Sequence, residues 1–154
     1  MPLDPTDRKI LALLQRDATM AVAEIAEAVN LSVTPCWRRI QRLERDGVIR
    51  RRVALLDRHA LNAGVTVFVA VRTSQHTAKW LERFAAAVKT FPEVVDCYRM
   101  SGEIDYLLRL ALPDIAAYDA FYKRLIAKVE LSDVTSMFAM EEIKSTTELP
   151  LSFV

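Results

Sequence analysis

The second half of the sequence repeats one order of secondary-structure patterns. A strand pattern beginning near residue 65 recurs near residue 105, and a second strand pattern near residue 94 recurs near residue 134. A helical pattern follows the first strand of each pair, over 78–91 and 115–129. This βαββαβ order predicts a ferredoxin-like domain, with a four-stranded antiparallel sheet and two helices on one of its faces.

The other face of such a sheet has no helix over it. A large apolar surface left in water is a liability, so we expect a second copy of the chain to bury this face. The sequence therefore predicts a homodimer formed through the C-terminal domain.

The first 56 residues carry three short helical patterns instead. The third runs from about residue 33 to 45, after a turn that ends at Ser32 as a capping residue, and Asp46–Gly47 stops it. Spacings of four and three residues put Cys36, Ile40 and Leu43 on its inward face. Residues 48–56 read as a β ribbon. Three helices and a basic ribbon predict a winged helix-turn-helix, and the chain is then an α+β protein of two domains.

Positive charge is concentrated beside this third helix. The whole chain has a net charge of +1, but residues 37–52 carry seven arginines against Glu44 and Asp46. A local basic stripe on a near-neutral chain indicates a polyanion partner for one region, and a solvated charged face is the alternative.

We expect the N-terminal domain to bind double-stranded DNA. The forked guanidinium of arginine can bond guanine's two acceptors or bridge phosphates. Arg38, Arg39 and Arg42 are predicted on the reading face, Arg50 to Arg52 on phosphate, and Trp37 in a packing role. The predicted DNA-binding residues are Ser32, Thr34, Pro35, Arg38, Arg39, Arg42, Arg50, Arg51 and Arg52.

Other classes of protein have little support in the residues. Cys36 and Cys97 have no metal-ligand spacing, and the three glycines form no phosphate loop. We therefore expect no catalytic residue, metal or cofactor. No apolar run is long enough to span a membrane, and no signal peptide is evident, which favours a cytoplasmic protein. The predicted divisions are a DNA-binding domain at 1–56, a connector at 57–64 and a second domain at 65–154.

Four motifs together resemble the Lrp/AsnC (feast/famine) family of transcriptional regulators. They are DRKILALLQRDAT, EIAEAVNLSVTPCWRRIQRLERDGVI, SGEIDYLLRL and FAMEEIKSTTELPL, in the family's order and spacing. The resemblance extends from about Leu3 to Leu151. Within the family, TPCWRR and STTELP look most like regulators of cysteine detoxification.

The resemblance implies more than the patterns do. It implies that the C-terminal domain is of the RAM/AsnC type, that dimers assemble into tetramers or octamers, and that an amino acid binds between dimers as effector. Cysteine, methionine or a leucine-like molecule is the first candidate. The implied effector-binding residues are Met100, Ser101, Gly102, Glu103, Asp105, Tyr106, Thr135, Ser136 and Met137.

Two alternatives remain at the level of sequence. One is a DNA-architectural protein that needs no effector, because it would share the basic helix and the assembly. The other is a small ferredoxin-like enzyme fused to a DNA-binding head, since a fold alone does not exclude chemistry.

Overall fold

The computed structural model describes residues 3–154, and the chain forms two compact units. Unit 1 contains the residues up to Leu55 together with Lys144–Val154, and unit 2 contains Leu56–Ile143. The C-terminal segment, which the sequence analysis assigns to the second domain, thus groups with the helices of the first. Among the described residues, every helix is too short or too polar to cross a bilayer.

Unit 1 is built on three helices, α1 (Pro5–Arg16), α2 (Val22–Ala28) and α3 (Val33–Arg45). A capping box starts α1: the Asp4 carboxylate accepts the Asp7 N–H at 2.8 Å, and the Asp7 carboxylate accepts the Asp4 N–H at 3.3 Å. Ser32 stands at the N-cap of α3 as expected, but its hydroxyl makes no capping hydrogen bond. Gly47, with a φ of +76°, follows the end of α3.

The core of unit 1 confirms the inward face predicted for α3. Cys36, Ile40 and Leu43 are at most 2% exposed. Removal of these apolar side chains from water is what holds three short helices together, since helices of this length are marginal alone. They pack into one cluster with residues of α1, α2 and the turn after α2, namely Ile10, Leu11, Ile25, Ala26 and Val29.

The β ribbon predicted for 48–56 is wrong for the single chain. Within the described residues, no strand forms between α3 and the first strand of unit 2. A ribbon needs a second strand to receive its backbone hydrogen bonds, and this segment has none beside it. Ile49 packs against the apolar cluster of unit 1. Later apolar side chains of the segment lie in water, with Val53 at 58%, Leu55 at 72% and Leu56 at 71% exposure.

Unit 2 confirms the predicted βαββαβ order. The four strands form one antiparallel sheet in the order β2-β3-β1-β4, so the first strand of each repeat occupies the centre. The elements are β1 (Val65–Arg72), α4 (Ala78–Lys89), β2 (Val94–Arg99), β3 (Tyr106–Leu112), α5 (Ile115–Lys128) and β4 (Asp133–Phe138).

Both helices of unit 2 pack on the same face of the sheet. Val67, Val69 and Val71 of the central strand are fully buried there, in one cluster with Phe84 of α4 and Phe121 of α5. The alternate residues of each strand point to the opposite, open face. The pairing register aligns two rows across that face: Asp96, Arg109, Phe68 and Met137, and next to it Tyr98, Leu107, Ala70 and Thr135.

The C-terminal segment binds α1 within unit 1. The Gln15 amide makes two hydrogen bonds to the backbone of Leu149, donating to its carbonyl at 3.2 Å and accepting its N–H at 2.6 Å. Arg16 pairs with Glu148 at 3.2 Å, and Leu151 packs against the apolar cluster. These contacts explain why 144–154 belongs to unit 1.

We predict that Gln15→Ala releases this segment. Each of the two lost hydrogen bonds is worth about 0.5–1.5 kcal/mol, and water at this exposed site favours the lower end, so the free energy of unfolding should fall by about 1 kcal/mol. Hydrogen exchange at the Leu149 amide, with urea unfolding, measures the effect. Arg16→Ala is the control, because it removes an exposed ion pair of little value. Unchanged exchange at Leu149 in Gln15→Ala would contradict the prediction.

Candidate DNA interface and effector loop

Helix α3 has three distinct sides. The buried side carries Cys36, Ile40 and Leu43. At about 100° per residue, Arg39 and Arg42 fall on one flank of this stripe. The remaining side faces water and consists of Thr34, Trp37, Arg38, Gln41 and Arg45, which we call the outer face.

Arg39 and Arg42 are bound to the start of α1. Arg39 Nη1 donates to Asp7 Oδ1 at 2.8 Å, and Arg42 Nη2 donates to Asp7 Oδ2 at 2.5 Å. Asp7 is 1% exposed, whereas the two arginine side chains are about 30% exposed. The sequence expectation put both arginines on the reading face beside Arg38. Their actual direction follows from a buried carboxylate that needs cationic partners, which the helical period alone does not contain.

A second carboxylate joins the cluster. Asp4 Oδ2 accepts from Arg39 Nη1 at 2.5 Å. This hydrogen bond from the guanidinium lowers the pKa of Asp4 below its ordinary value, and the same contact raises the pKa of Arg39. We call Asp4, Asp7, Arg39 and Arg42 the charge cluster; it contains two anions and two cations.

The outer face holds two of the predicted DNA-binding residues, Thr34 and Arg38, together with residues that were not predicted to bind DNA. Arg38 is exposed as predicted. Trp37 is 50% exposed rather than packed, and Gln41, which donates to Glu44 at 3.0 Å, was not singled out. Ser32, Thr34 and Pro35, at the start of α3, are exposed as well. The helical period relative to the buried stripe was the signal that could have identified Trp37 and Gln41.

The basic segment after α3 has no regular secondary structure, and its arginines are exposed. Arg52 is paired with Glu44 of α3 at 2.9 Å, so its direction is partly fixed by the helix. Arg50 and Arg51 are exposed on the same segment. Such side chains offer positive charge to a phosphate backbone without reading a sequence.

The loop between β2 and β3 contains most of the predicted effector residues. Met100 N–H donates to the carbonyl of Asp105 at 2.8 Å and closes the loop. Asp105 Oδ2 accepts the N–H of Thr73 at 2.8 Å, while Oδ1 lies 3.9 Å from His76 Nδ1. Gly102 has a φ of +115°, and a Cβ at this position would meet open space, so backbone conformation rather than close approach requires glycine here.

A groove of about 220 Å³ opens beside this loop. Among the predicted residues, Met100, Asp105 and Tyr106 line it, whereas Ser101, Gly102 and Glu103 do not. Glu103 instead lies 3.7 Å from Arg72. The groove is also lined by residues that were not predicted from the sequence. They come from the segment that follows β1 and begins α4, namely Gln75, His76, Thr77, Trp80 and Leu81. The pairing of Val71 with Tyr106 puts this segment next to the β2–β3 loop, and that register is the feature that would have identified these residues.

The three predicted residues of β4 divide between the two faces of the sheet. Ser136 points to the helix side, where its hydroxyl bonds the Tyr118 hydroxyl. Thr135 and Met137 point to the open face. Strand β1 separates β4 from β3, a distance of about 10 Å at ordinary strand spacing. One chain therefore does not bring these residues together with the β2–β3 loop.

Two family models match the chain along most of its length. A model described as winged helix-turn-helix DNA-binding matches residues 3–50, and one described as the Lrp/AsnC ligand binding domain matches residues 66–149. The match to the first is consistent with the three helices of unit 1, and the match to the second with the sheet and helices of unit 2.

Relatives and solved structures agree with these matches. The DNA-binding transcriptional activator DecR of Escherichia coli K12 is 53% identical over 97% of this chain and 99% of its own length. An AsnC family transcriptional regulator from Agrobacterium tumefaciens is 65% identical, with a TM-score of 0.95 over 98% and 99% of the two chains. A transcriptional regulator from Neisseria meningitidis, solved as a complex with L-Met, is 38% identical, with a TM-score of 0.94 over 99% of both chains. The chain belongs to the Lrp/AsnC family.

Proposed function

We propose that the chain is a sequence-specific DNA-binding regulator of transcription in amino-acid metabolism, and that α3 is its reading helix. The orientation of α3 carries this proposal: its apolar stripe packs inward, so Arg38 and Gln41 remain exposed on the outer face. The major groove of DNA admits an α-helix, and arginine and glutamine match the edges of guanine and adenine. With DNA as partner, we propose action in the cytoplasm, at the nucleoid.

The proposed contacts divide by their chemistry. Arg38 and Gln41 read base edges. Ser32, Thr34 and Pro35 lie at the start of α3, where the hydroxyls of Ser32 and Thr34 and free backbone N–H groups suit phosphate; Pro35 has neither group. Arg50, Arg51 and Arg52 add charge along the backbone of the duplex. Arg39 and Arg42 act indirectly, through the charge cluster.

Arg38→Ala should weaken binding to the promoter region of the protein's own gene by about 1–3 kcal/mol and relax specificity at one base position. The physical reason is the loss of a paired hydrogen bond to a base edge. Gel-shift titrations on promoter duplexes with single base changes measure both effects. Arg83→Ala, an equal change of charge on α4, should bind like the wild type. If Arg38→Ala also binds like the wild type, α3 is not the reading helix.

We propose that a small amino acid binds in the groove beside the β2–β3 loop. The Asp105 carboxylate can accept an ammonium group, and Met100 and Leu81 offer apolar surface to a side chain. The Neisseria meningitidis relative, solved with L-Met, supports an amino acid as ligand class. Cysteine, methionine and leucine-like molecules remain the first candidates.

The proposed site needs a second copy of the chain. Thr135 and Met137 lie on the open sheet face, away from the loop in the same chain. Tyr98 and Met137 are about half exposed there, an apolar surface suited to burial in a homodimer. Two copies also present two reading helices to paired half-sites. Assembly to tetramers or octamers is proposed from family membership.

A thermal-shift screen against the standard amino acids tests the effector. A ligand at about 100 times its Kd should stabilise the protein by about 2.7 kcal/mol, and we expect one or a few amino acids to raise the Tm. Asp105→Asn should reduce that rise, while its amide oxygen can still accept the Thr73 N–H.

The screen also separates the alternatives. No rise in Tm with any amino acid would favour the architectural protein that needs no effector. For the enzyme alternative, return of the bound amino acid unchanged is the expected result, since relatives carry the names of transcriptional regulators. Recovery of a chemically altered product would contradict the proposal of a non-enzymatic regulator.

A further inference from the structure

The charge cluster contains an aspartate with two arginine partners one turn apart on the same helix. Asp7 is 1% exposed, and each of its carboxylate oxygens takes a different arginine, Oδ1 from Arg39 and Oδ2 from Arg42. Two bonds at separate points along α3 restrain its rotation about its own axis and its displacement along that axis. The capping box with Asp4 fixes the position of Asp7 itself.

Stability alone is a weak explanation for this cluster. Buried ion pairs are often no more stabilising than apolar side chains of similar volume, because charges lose their hydration. Among the described residues, Arg42 Nε is also buried without a hydrogen-bond acceptor, which adds an unfavourable contribution. What an apolar contact would not supply is directional bonding that selects one rotation of the helix.

The rotation of α3 decides which side chains DNA can meet. Arg38 lies next to Arg39 in sequence, about 100° around the helix. With Arg39 and Arg42 drawn toward α1, Arg38 and Gln41 are left on the outer face. The same bonds withdraw two positive charges from a surface that would otherwise attract any DNA.

We propose that Asp7 is a positioning residue for DNA recognition: by holding Arg39 and Arg42 it orients the outer face of α3. It thereby lowers the affinity for DNA of any sequence and raises the preference for the promoter sequence. This inference rests on the proposed function, because it assumes that α3 reads DNA. It goes beyond that function by assigning specificity to a residue of α1 that does not contact the duplex.

Asp7→Asn in the full-length protein tests this role. Fluorescence anisotropy gives the Kd for the promoter duplex and for a scrambled duplex at several salt concentrations. We expect promoter affinity to fall about tenfold or more, while the freed arginines leave scrambled-duplex affinity equal or higher. The slope of log K against log salt for the scrambled duplex should steepen by about 0.9 for each new phosphate contact.

Asp17→Asn is the matched control. It makes the same change of net charge at the other end of α1, where its amide oxygen can keep the contacts with Thr19. Both of its affinities should stay within about twofold of the wild type. The inference is overturned if a folded Asp7→Asn protein loses affinity for both duplexes equally, or keeps both affinities. The salt slope is a further readout, because a purely structural role for Asp7 would not steepen it.

A second variant decides the matter if Asp7→Asn fails to fold. The triple substitution Asp7→Leu, Arg39→Met and Arg42→Leu replaces the charges by apolar packing. If this protein folds and keeps its preference for the promoter duplex, apolar packing orients α3 as well as the bonds do, and the inference fails. If it folds and loses that preference while still binding the scrambled duplex, the directional bonds are what orient α3. A wild-type protein without preference for the promoter duplex would refute the proposed function itself.

Discussion

Which side chains lie on the outer face of α3 depends on the burial of one apolar stripe. Cys36, Ile40 and Leu43 lose nearly all contact with water, and this sets the side of the helix that faces the core. An apolar stripe is permissive, however, because packing tolerates small rotations. The bonds from Arg39 and Arg42 to Asp7 are directional and complete the restraint. Burial of the apolar stripe thus determines which side of α3 faces the core, and the two hydrogen-bonded ion pairs further restrict the rotation of α3 about its own axis.

The sheet of unit 2 combines a closed face and an open one. The central strand β1 buries Val67, Val69 and Val71 beneath the helices, while Phe68 and Ala70 are on the other side. The loop groove and the open face are therefore built by the same strands. β4 is separated from the β2–β3 loop by intervening strands. If the proposed ligand needs residues from both regions, its binding would favour the association of copies.

Residue patterns predicted the elements well and the directions of polar side chains poorly. The βαββαβ order and the inward face of α3 follow from periodicity, which is a local property of the chain. The turn of Arg39 and Arg42 toward α1 depends on Asp7, more than thirty residues earlier, and no local pattern contains that pairing. The absence of a ribbon at 48–56 and the attachment of 144–154 to α1 likewise depend on which distant segment is available as partner. For the groove, Met100, Asp105 and Tyr106 were predicted through family resemblance, whereas His76 required the register of β1 against β3.

The attachment of residues 144–154 to α1 changes how many times the backbone passes between the two units. The chain passes from unit 1 to unit 2 near Leu55 and returns near Lys144. Two units joined by one segment can rotate about that segment, whereas a second connecting segment restricts the rotation. The sheet therefore has two covalent connections to the helices of unit 1, one through the segment after α3 and one through the segment that follows β4.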